Sequence, residues 1–201
     1  MKTFDIFGQS VDDKTLRSVV GILKDGGLII YPTDTLYAIG CDALNNNAIN
    51  SICKLKGINP DKQYLSVVCS GISMAAEYAR FDNAGFKLLK RNTPGPFTFI
   101  FPSSSSLPKV FKGRKTVGVR IPNCKIALSL AEALGNPLMT TTISYEDSDY
   151  ATNPELIAEA YDNHADCFIN NGDGGITPST VVDCTGEESK IIREGAGELS
   201  Y

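Results

Sequence analysis

The sequence predicts an α+β protein with α/β-type layers, in which a twisted mixed β-sheet is covered by helices. Short apolar and β-branched runs that fit strands are interspersed with segments whose apolar residues recur at helical spacing. The two kinds of segment follow no strict βαβ rhythm, so a mixed sheet fits better than a doubly wound parallel sheet. No repeat and no long polar linker divides the 201 residues, which predicts one domain over residues 1–201 with no additional C-terminal domain.

The first elements are a helix and two strands. Apolar residues recur at helical spacing between Asp13 and Gly26, which predicts an amphipathic helix that the glycine ends. The β-branched run at 27–31 is too short for a typical helix and predicts a core strand. Pro32 lacks a backbone donor and ends that strand, and the apolar run at 36–41 predicts the next one.

The later elements follow the same two patterns. Gly57 and the Thr93-Pro94-Gly95-Pro96 turn punctuate them, because glycine and proline end regular structure. The remaining predicted helices lie at about 47–56, 72–80, 83–91, 124–135 and 153–161. The remaining predicted strands lie at about 64–69, 97–101, 116–121, 138–143, 166–169, 179–184 and 190–194.

The composition excludes several classes of protein. The chain is 42% hydrophobic and 21% charged, which is typical of a globular protein. It has no apolar stretch of the roughly 20 residues that span a membrane and no signal-peptide pattern, so we expect a cytoplasmic protein with no membrane partner. Six widely spaced cysteines and one histidine predict reduced core thiols and no bound metal. With a formal charge of −4, any RNA binding would need a local basic face.

The segment from Tyr31 to Gly40 is the most informative part of the chain. Pro32 takes the backbone out of the sheet and leaves Thr33, Asp34 and Thr35 on a turn between two strands. Hydroxyls and a carboxylate on such rigid supports suit a small polar ligand. An ordinary Pro-Thr-Asp turn is the alternative, because threonine and aspartate favour turns in many proteins.

Other polar side chains near strand ends indicate an anionic ligand. Alternation sends Thr140, Thr142 and Ser144 to one side of their strand, although threonine also suits strands for steric reasons. Arg120 interrupts a buried-looking strand, so we expect it to have an anionic partner. Hydroxyls, lysines and arginines are the groups that hold phosphate and carboxylate. No residue is assigned as catalytic, because His164 is the lone histidine and no P-loop or dinucleotide fingerprint occurs.

Seven motifs follow one another along the chain. They are Tyr31-Pro32-Thr33-Asp34-Thr35-Leu36-Tyr37, the lysine after the second helix (Lys56), Pro94-Gly95-Pro96-Phe97-Thr98, Val119-Arg120-Ile121-Pro122, the Thr/Ser strand Thr140-Thr141-Thr142-Ile143-Ser144, Pro178-Ser179-Thr180-Val181-Val182-Asp183 and Arg193-Glu194-Gly195. Taken in order, they resemble the YrdC family and look most like its YciO branch. The resemblance covers about residues 12–198. It implies a twisted mixed sheet around a concave, positively charged cavity.

The resemblance also implies an activity, that of an L-threonylcarbamoyladenylate synthase. Such a nucleotidyltransferase makes threonylcarbamoyl-AMP and pyrophosphate from threonine, bicarbonate and ATP, with Mg²⁺ on the nucleotide, and the product serves tRNA modification. A carboxylate attacks the α-phosphate, so the protein mostly positions the reactants and neutralises charge. The residues implied on the threonine side are Thr33 and Thr35, with Tyr37 close by. Those implied on the nucleotide and phosphate side are Lys56, Arg120, Thr140, Thr142, Ser144, Ser179 and Arg193.

Two departures from the family's synthases fall on the phosphate side. The synthases have Lys-x-Arg where this chain has Lys56-Gly57-Ile58, and Ser-x-Asn where it has Thr142-Ile143-Ser144. One missing contact to a charged group, at roughly 1.5–3 kcal/mol, would weaken triphosphate binding about 10- to 150-fold. Lys54 or Lys62 could fill the gap, without the two-pronged geometry of an arginine. The sequence therefore predicts a synthase or a weak relative of one.

Two other functions stay open. The first is a non-catalytic protein whose basic cavity binds double-stranded RNA or tRNA, which the two departures and the basic residues Lys109, Lys112, Arg114 and Lys115 favour. The second is an enzyme that acts on another nucleotide or carboxylate in the same cavity. In either case an exposed edge strand could support a homodimer.

Overall fold

The computed structural model describes residues 1–8, 10–143 and 149–201, and it confirms a mixed sheet covered by helices. The strands are β1 (Lys2–Asp5), β2 (Ile29–Tyr31), β3 (Ala38–Asp42), β4 (Ser66–Val68), β5 (Phe97–Pro102), β6 (Thr116–Arg120), β7 (Leu138–Thr142), β8 (Cys167–Asn170), β9 (Thr180–Asp183) and β10 (Lys190–Arg193). The helices are α1 (Asp13–Lys24), α2 (Asn46–Lys56), α3 (Ile72–Tyr78), α4 (Asn83–Asn92), α5 (Lys125–Leu134), α6 (Asp149–Thr152) and α7 (Pro154–Tyr161), with a 3₁₀ helix at Lys109–Lys112. None of the helices in these ranges has the length and apolar character needed to cross a membrane.

All the strands belong to one sheet, in the order β1-β8-β2-β3-β7-β4-β6-β5-β9-β10. The pairs β1–β8, β2–β8, β4–β6 and β5–β9 are parallel. The other neighbouring pairs are antiparallel. Strands that are distant in sequence thus become neighbours, as β8 does with β1 and β9 with β5.

Capping residues set the helix ends near the predicted positions. The Asp12 carboxylate accepts hydrogen bonds from the amides of Lys14 and Thr15, which starts α1. Gly57 ends α2 in the left-handed conformation at φ 62°, which glycine adopts at little cost. Because Gly57 turns the chain sharply, the residues after it lead towards the start of β4.

Some elements do not follow from the sequence patterns used above. β1 is a polar edge strand whose four residues are mostly exposed, so it carries no apolar run. It forms because β8, more than 160 residues later, offers a free edge with Lys2 beside Cys167. α6 and the 3₁₀ helix are single turns of four residues, too short for a helical period to be visible.

Two hydrophobic cores pack on the two faces of the sheet. The larger core joins α2, α3, α4 and α7 to one face. The smaller core joins α1 and α5 to the other face, but only over β8, β2, β3 and the near ends of β7 and β4. Helices therefore cover one face from β8 to β9 and the other face only over about half of that width.

Side chains on β5 mark the two faces. Phe97, Phe99 and Phe101 lie in the larger core, whereas Thr98 and Ile100 lie on the opposite face and line a cavity. This is the alternation expected of a strand with two different environments. The half of the second face that α1 and α5 leave open is therefore where a ligand can reach the sheet.

Burial accounts for the state of the cysteines. All six are free, as the sequence predicts, with Cys41, Cys53, Cys69 and Cys167 buried and Cys124 and Cys184 partly buried. Burial raises the pKa of Cys69 and of Cys167 to about 12. These two thiols therefore stay protonated near neutral pH and act as small apolar core groups.

Gly40 allows a close approach that a larger residue would prevent. A Cβ atom at this position would lie 2.8 Å from the Met139 carbonyl oxygen and 2.8 Å from Tyr31 Cε1. We expect Gly40→Ala to lower the free energy of unfolding by about 1–3 kcal/mol, because overpacked cores must shift backbone or side chains. Urea unfolding followed by circular dichroism measures this change.

The matched control is Gly21→Ala in α1, where a Cβ meets nothing within 4 Å. Alanine there should raise the free energy of unfolding by about 0.5–1 kcal/mol, since it costs less backbone entropy in a helix than glycine. Equal effects at the two positions would contradict the close packing of Tyr31 over Gly40.

Candidate functional site

In the turn between β2 and β3, the hydroxyl protons of Thr33 and Thr35 are donated to hydrogen bonds within the turn. The Thr33 hydroxyl donates to the Leu36 carbonyl oxygen at 2.7 Å and accepts from the Thr35 amide at 3.1 Å. Because Thr33 has then donated its one proton, Thr35 is the donor in the 3.0 Å contact between the two hydroxyls. Thr35 accepts in turn from Arg120 Nη2 at 3.1 Å. The turn therefore offers a ligand an oxygen lone pair rather than an O–H donor.

A buried ion pair ties this turn to β6. Arg120 Nη2 donates to Asp34 Oδ1 at 3.0 Å, and the two side chains are only 7% and 8% exposed. The other carboxylate oxygen of Asp34 accepts from the Asn123 amide, just before α5, at 2.8 Å. Arg120 Nε is buried without a hydrogen-bond partner among the described residues. The pair thus fixes the guanidinium in place while leaving its hydrogen-bonding capacity partly unused, which calls for an explanation beyond packing.

A cavity of about 440 Å³ lies on the open half of the second face. This volume is within the usual range for small-molecule sites. It brings together five of the predicted site residues, which are Arg120, Thr140, Thr142, Ser179 and Arg193. The charged side chains that line it are Lys62, Arg120 and Arg193. Among the described residues the lining contains no carboxylate side chain, so an anionic ligand would meet basic and neutral groups in this part of the chain.

Small residues form the floor of this cavity. Thr140 on β7 lies beside Ser66 on β4, and Ser66 lies beside Gly118 on β6. A Cβ atom at Gly118 would come within 2.5 Å of Ser66 Oγ and 3.0 Å of Thr98 Cγ2. The cavity therefore extends close to the backbone of the sheet, because Thr140, Ser66 and Gly118 on three adjacent strands are small.

Arg193 and Ser179 form the far wall. Arg193 donates through Nη2 and Nε to the Ser179 carbonyl oxygen, at 2.8 and 3.2 Å, and Ser179 Oγ lies 2.9 Å from Thr98 Oγ1. Burial lowers the pKa of Arg193, and the positive charge of Arg120 lowers it further. The two guanidinium groups are thus close enough to repel each other, which an anion placed between them would relieve.

Residues of the Thr/Ser strand have different environments. Thr140 is buried and its Oγ1 accepts from the Tyr31 hydroxyl at 2.7 Å. Thr142 is half-buried and lines the cavity. Ser144, also predicted on the phosphate side, lies outside the described residues.

Tyr37 lies behind the turn that carries Thr33 and Thr35 (the threonine turn) rather than in the cavity lining. Its ring is 1% exposed, and its hydroxyl donates to the Gly172 carbonyl oxygen at 2.8 Å and accepts from the Asn171 amide at 2.9 Å. The loop held in this way packs Gly175 directly against the Thr35 backbone. Because the same loop continues to Ser179, Tyr37 supports both the turn and the far wall.

The lysines near the end of α2 differ in their relation to the cavity. Lys56 is half-buried, which lowers the pKa of its ammonium group, but it is not among the lining residues. Ile58 and Lys62 do line the cavity, whereas Lys54 is exposed on α2 outside it. Of the two lysines considered as substitutes for the missing arginine, Lys62 is therefore the one in position.

Three contributors to the site were not among the predicted site residues. Ser66 and Thr98 carry no sequence signal, because a single Ser or Thr within a strand is common. Asp34 was visible in the turn motif, but its partner Arg120 lies 86 residues away. The expectation of an anionic partner for Arg120 was the one signal that could have joined them.

A protein-family model named Sua5_yciO_yrdC, described as "Telomere recombination", matches residues 21–195. The match covers most of the chain, so this protein belongs to the Sua5/YciO/YrdC family. The YrdC-like fold predicted from the sequence is thereby confirmed.

Relatives within the family fall into two groups. YciO of Escherichia coli K12, a protein without a characterised function, is 35% identical over 98% of this chain and 96% of its own. The crystal structure of E. coli YciO has a TM-score of 0.91, with 98% of both chains covered. The threonylcarbamoyl-AMP synthase of Pyrococcus abyssi is 29% identical over 93% of this chain and 56% of its own. P. abyssi Sua5 complexed with L-threonine has a TM-score of 0.87, covering 97% of this chain and 58% of that chain.

The Arg120–Asp34 pair predicts a large effect of Asp34→Asn on stability. Removing one partner of a buried ion pair leaves an uncompensated charge, so the free energy of unfolding should fall by about 3–5 kcal/mol. The double variant Arg120→Met with Asp34→Asn should lose less than the sum of the two single losses, because no charge is then stranded. Chemical denaturation of the four proteins measures this coupling.

Asp162→Asn is the matched control, since it removes the exposed ion pair between the Met1 ammonium group and a carboxylate that is 61% exposed. Its effect should stay below about 1 kcal/mol. Additive losses in the double variant would show that Arg120 and Asp34 do not stabilise each other.

Proposed function

We propose that this protein is a threonylcarbamoyl-AMP synthase with a weakened phosphate side. The observation that carries the proposal is that Arg120 joins the threonine turn to the cavity. It donates to Asp34 and Thr35 and lines the same cavity as Arg193 and Ser179. Thr33 and Thr35 are not themselves lining residues, so Arg120 is the contact between the groups proposed for an amino acid and those proposed for a phosphate chain. A Sua5 protein of the same fold was solved with L-threonine.

The proposed reaction has two bond-forming steps. The threonine amino group joins bicarbonate and releases water, and the resulting carbamate carboxylate attacks the α-phosphorus of ATP and releases pyrophosphate. The free lone pair of Thr35 would hold the amino end of threonine, and Arg120 would hold its carboxylate. Arg193, Lys62 and the nearby hydroxyls would hold the phosphates.

Neither step needs a protein group to exchange a proton with the α-phosphate, so charge neutralisation is the main task. Mg²⁺ would arrive on the nucleotide as part of the substrate. Among the described residues there is no cluster of three or more His, Cys, Asp or Glu side chains that could hold a metal ion. The product would be delivered to tRNA modification.

The test is formation of threonylcarbamoyl-AMP and pyrophosphate from threonine, bicarbonate and Mg·ATP, followed by mass spectrometry and a phosphate-coupled assay. Arg193→Met should lower the rate about 10- to 150-fold, since it removes a charged hydrogen-bond donor from the phosphates. Arg80→Met, an exposed arginine outside the cavity lining, should leave the rate unchanged. The proposal fails if the wild-type protein makes no more product than Arg193→Met.

Ile58→Arg should strengthen the binding of phosphate groups in the cavity. Ile58 lines the cavity at the position where the family resemblance implies an arginine in typical synthases. A new charged contact should tighten Mg·ATP binding about 10-fold or more, measured by isothermal titration calorimetry. Ser51→Arg adds the same charge at an exposed position of α2 outside the lining. If both variants bind Mg·ATP equally, the gain is only long-range attraction and Ile58 is not at the phosphates.

A second candidate function, RNA binding, rests on basic residues close in sequence to Arg114, whose guanidinium contacts Tyr64 of the cavity lining. Lys109, Lys112 and Lys115 are exposed and form no ion pair within the described residues. Double-stranded RNA binding through them should weaken linearly with the logarithm of salt concentration. Replacing all three by alanine should reduce that slope by about 3, whereas the same change at Lys14, Lys24 and Lys125, on the helices of the smaller core, should not. Absence of RNA binding at low salt excludes this candidate.

A further inference from the structure

The mouth of the cavity exposes apolar side chains, unlike its polar floor. Ile58 and Tyr64 lie on the segment between α2 and β4, and Ile192 lies on β10 on the opposite side. Tyr64 is 36% exposed and Ile192 is 50% exposed. Exposed apolar groups gathered around one opening are typical of a ligand-binding surface rather than of ordinary surface.

Arg114 fixes the orientation of Tyr64. The centre of its guanidinium lies 3.9 Å from the centroid of the Tyr64 ring, and its Nη1 donates to the Lys62 carbonyl oxygen at 2.6 Å. Gly113 packs against Asp61 with no room for a Cβ atom. One cation–π contact, one hydrogen bond and one close packing contact thus hold residues 61–64 against residues 113–114.

This arrangement leaves Tyr64 with two different sides. The Arg114 guanidinium lies over one face of the ring, while the residue itself lines the cavity. A flat ring held from behind and partly open to a cavity is suited to stacking with another flat ring. The neighbouring Lys62 also lines the cavity, so an anionic group could be held beside the stacked ring.

We propose that Tyr64 is the stacking platform for the purine base of a nucleotide in this cavity and that Arg114 is its positioning residue. The inference rests on the proposed function in one respect, that the cavity takes a nucleotide. The base lies at the apolar mouth between Tyr64 and Ile192, and the phosphates lie deeper, towards Arg193. Tyr64 contacts the ligand directly, whereas Arg114 acts only through the ring that it holds.

Comparing two ligands separates the contribution of the Tyr64 ring to binding affinity from that of the phosphate contacts. Mg·ATP has both a base and phosphates, whereas Mg·tripolyphosphate has the phosphates alone. Stacking of a base on an aromatic side chain corresponds to about 5- to 150-fold in affinity. Removal of the Tyr64 ring should therefore weaken Mg·ATP by such a factor and leave Mg·tripolyphosphate unchanged.

The experiment is isothermal titration calorimetry of both ligands with the wild-type chain and its variants. Tyr64→Ala and Tyr64→Leu should lose Mg·ATP affinity, and Tyr64→Phe, which keeps the ring, should bind as the wild type does. Arg114→Ala should lose part of the Mg·ATP affinity, and Arg114→Lys, which keeps the charge without the planar group, should lose a similar part. Phe86→Ala removes another exposed aromatic ring, 43% exposed and outside the cavity lining, and should change neither ligand.

Circular dichroism and urea unfolding of each variant show whether it folds, and Tyr64→Leu keeps apolar bulk if Tyr64→Ala does not. The inference is overturned if folded Tyr64→Leu binds Mg·ATP like the wild type, or if it loses both ligands equally. It is also overturned if the wild type binds Mg·tripolyphosphate as tightly as Mg·ATP. A chain that binds Mg·ATP through the ring but makes no threonine-dependent product would support this inference and reject the proposed function.

Discussion

The ion pair between Arg120 and Asp34 joins three parts of the fold that are far apart in the sequence. Arg120 ends β6, Asp34 lies in the turn between β2 and β3, and the second oxygen of Asp34 receives the Asn123 amide just before α5. The two side chains are only 7% and 8% exposed, so the geometry of the pair must be kept for either charge to be tolerated. The positions of Thr35 and of the cavity wall both depend on it.

The site also depends on how incompletely the sheet is covered. α1 and α5 pack over β8, β2 and β3 and end before β6, β5 and β9. The strands beyond them keep bulky phenylalanines on the side of the larger core and Thr98, Ser66 and Gly118 on the other side. A third helix on that side would bury these small polar residues and remove the cavity. The cavity therefore results from the absence of a helical layer over this part of the sheet rather than from an added loop.

Periodicity and turn residues predicted most of the helices and strands, because the chain carries strong local signals such as Pro32, Gly57 and the apolar run before the threonine turn. They could not predict β1, whose formation depends on β8. The motifs found Arg120, Ser179 and Arg193, which do line one cavity. Tyr37 belongs to the same motif as Thr35, yet its hydroxyl hydrogen-bonds to backbone groups of residues 171 and 172. Sequence proximity therefore did not reveal which side chains face the cavity.

The turn that carries Thr33 and Thr35 and the far wall of the cavity rest on parts of the sheet with different support. β2 and β3 lie within the sheet and are fully or almost fully buried, whereas β10 is an edge strand with all four residues exposed. Edge elements open locally at lower free energy than central ones. Amide hydrogens of β10 should therefore exchange faster than those of β2 and β3 in the free protein. A ligand that contacts Arg193 must also order β10. Part of its binding free energy would be spent on this ordering, and amide hydrogens along β10 would then exchange more slowly.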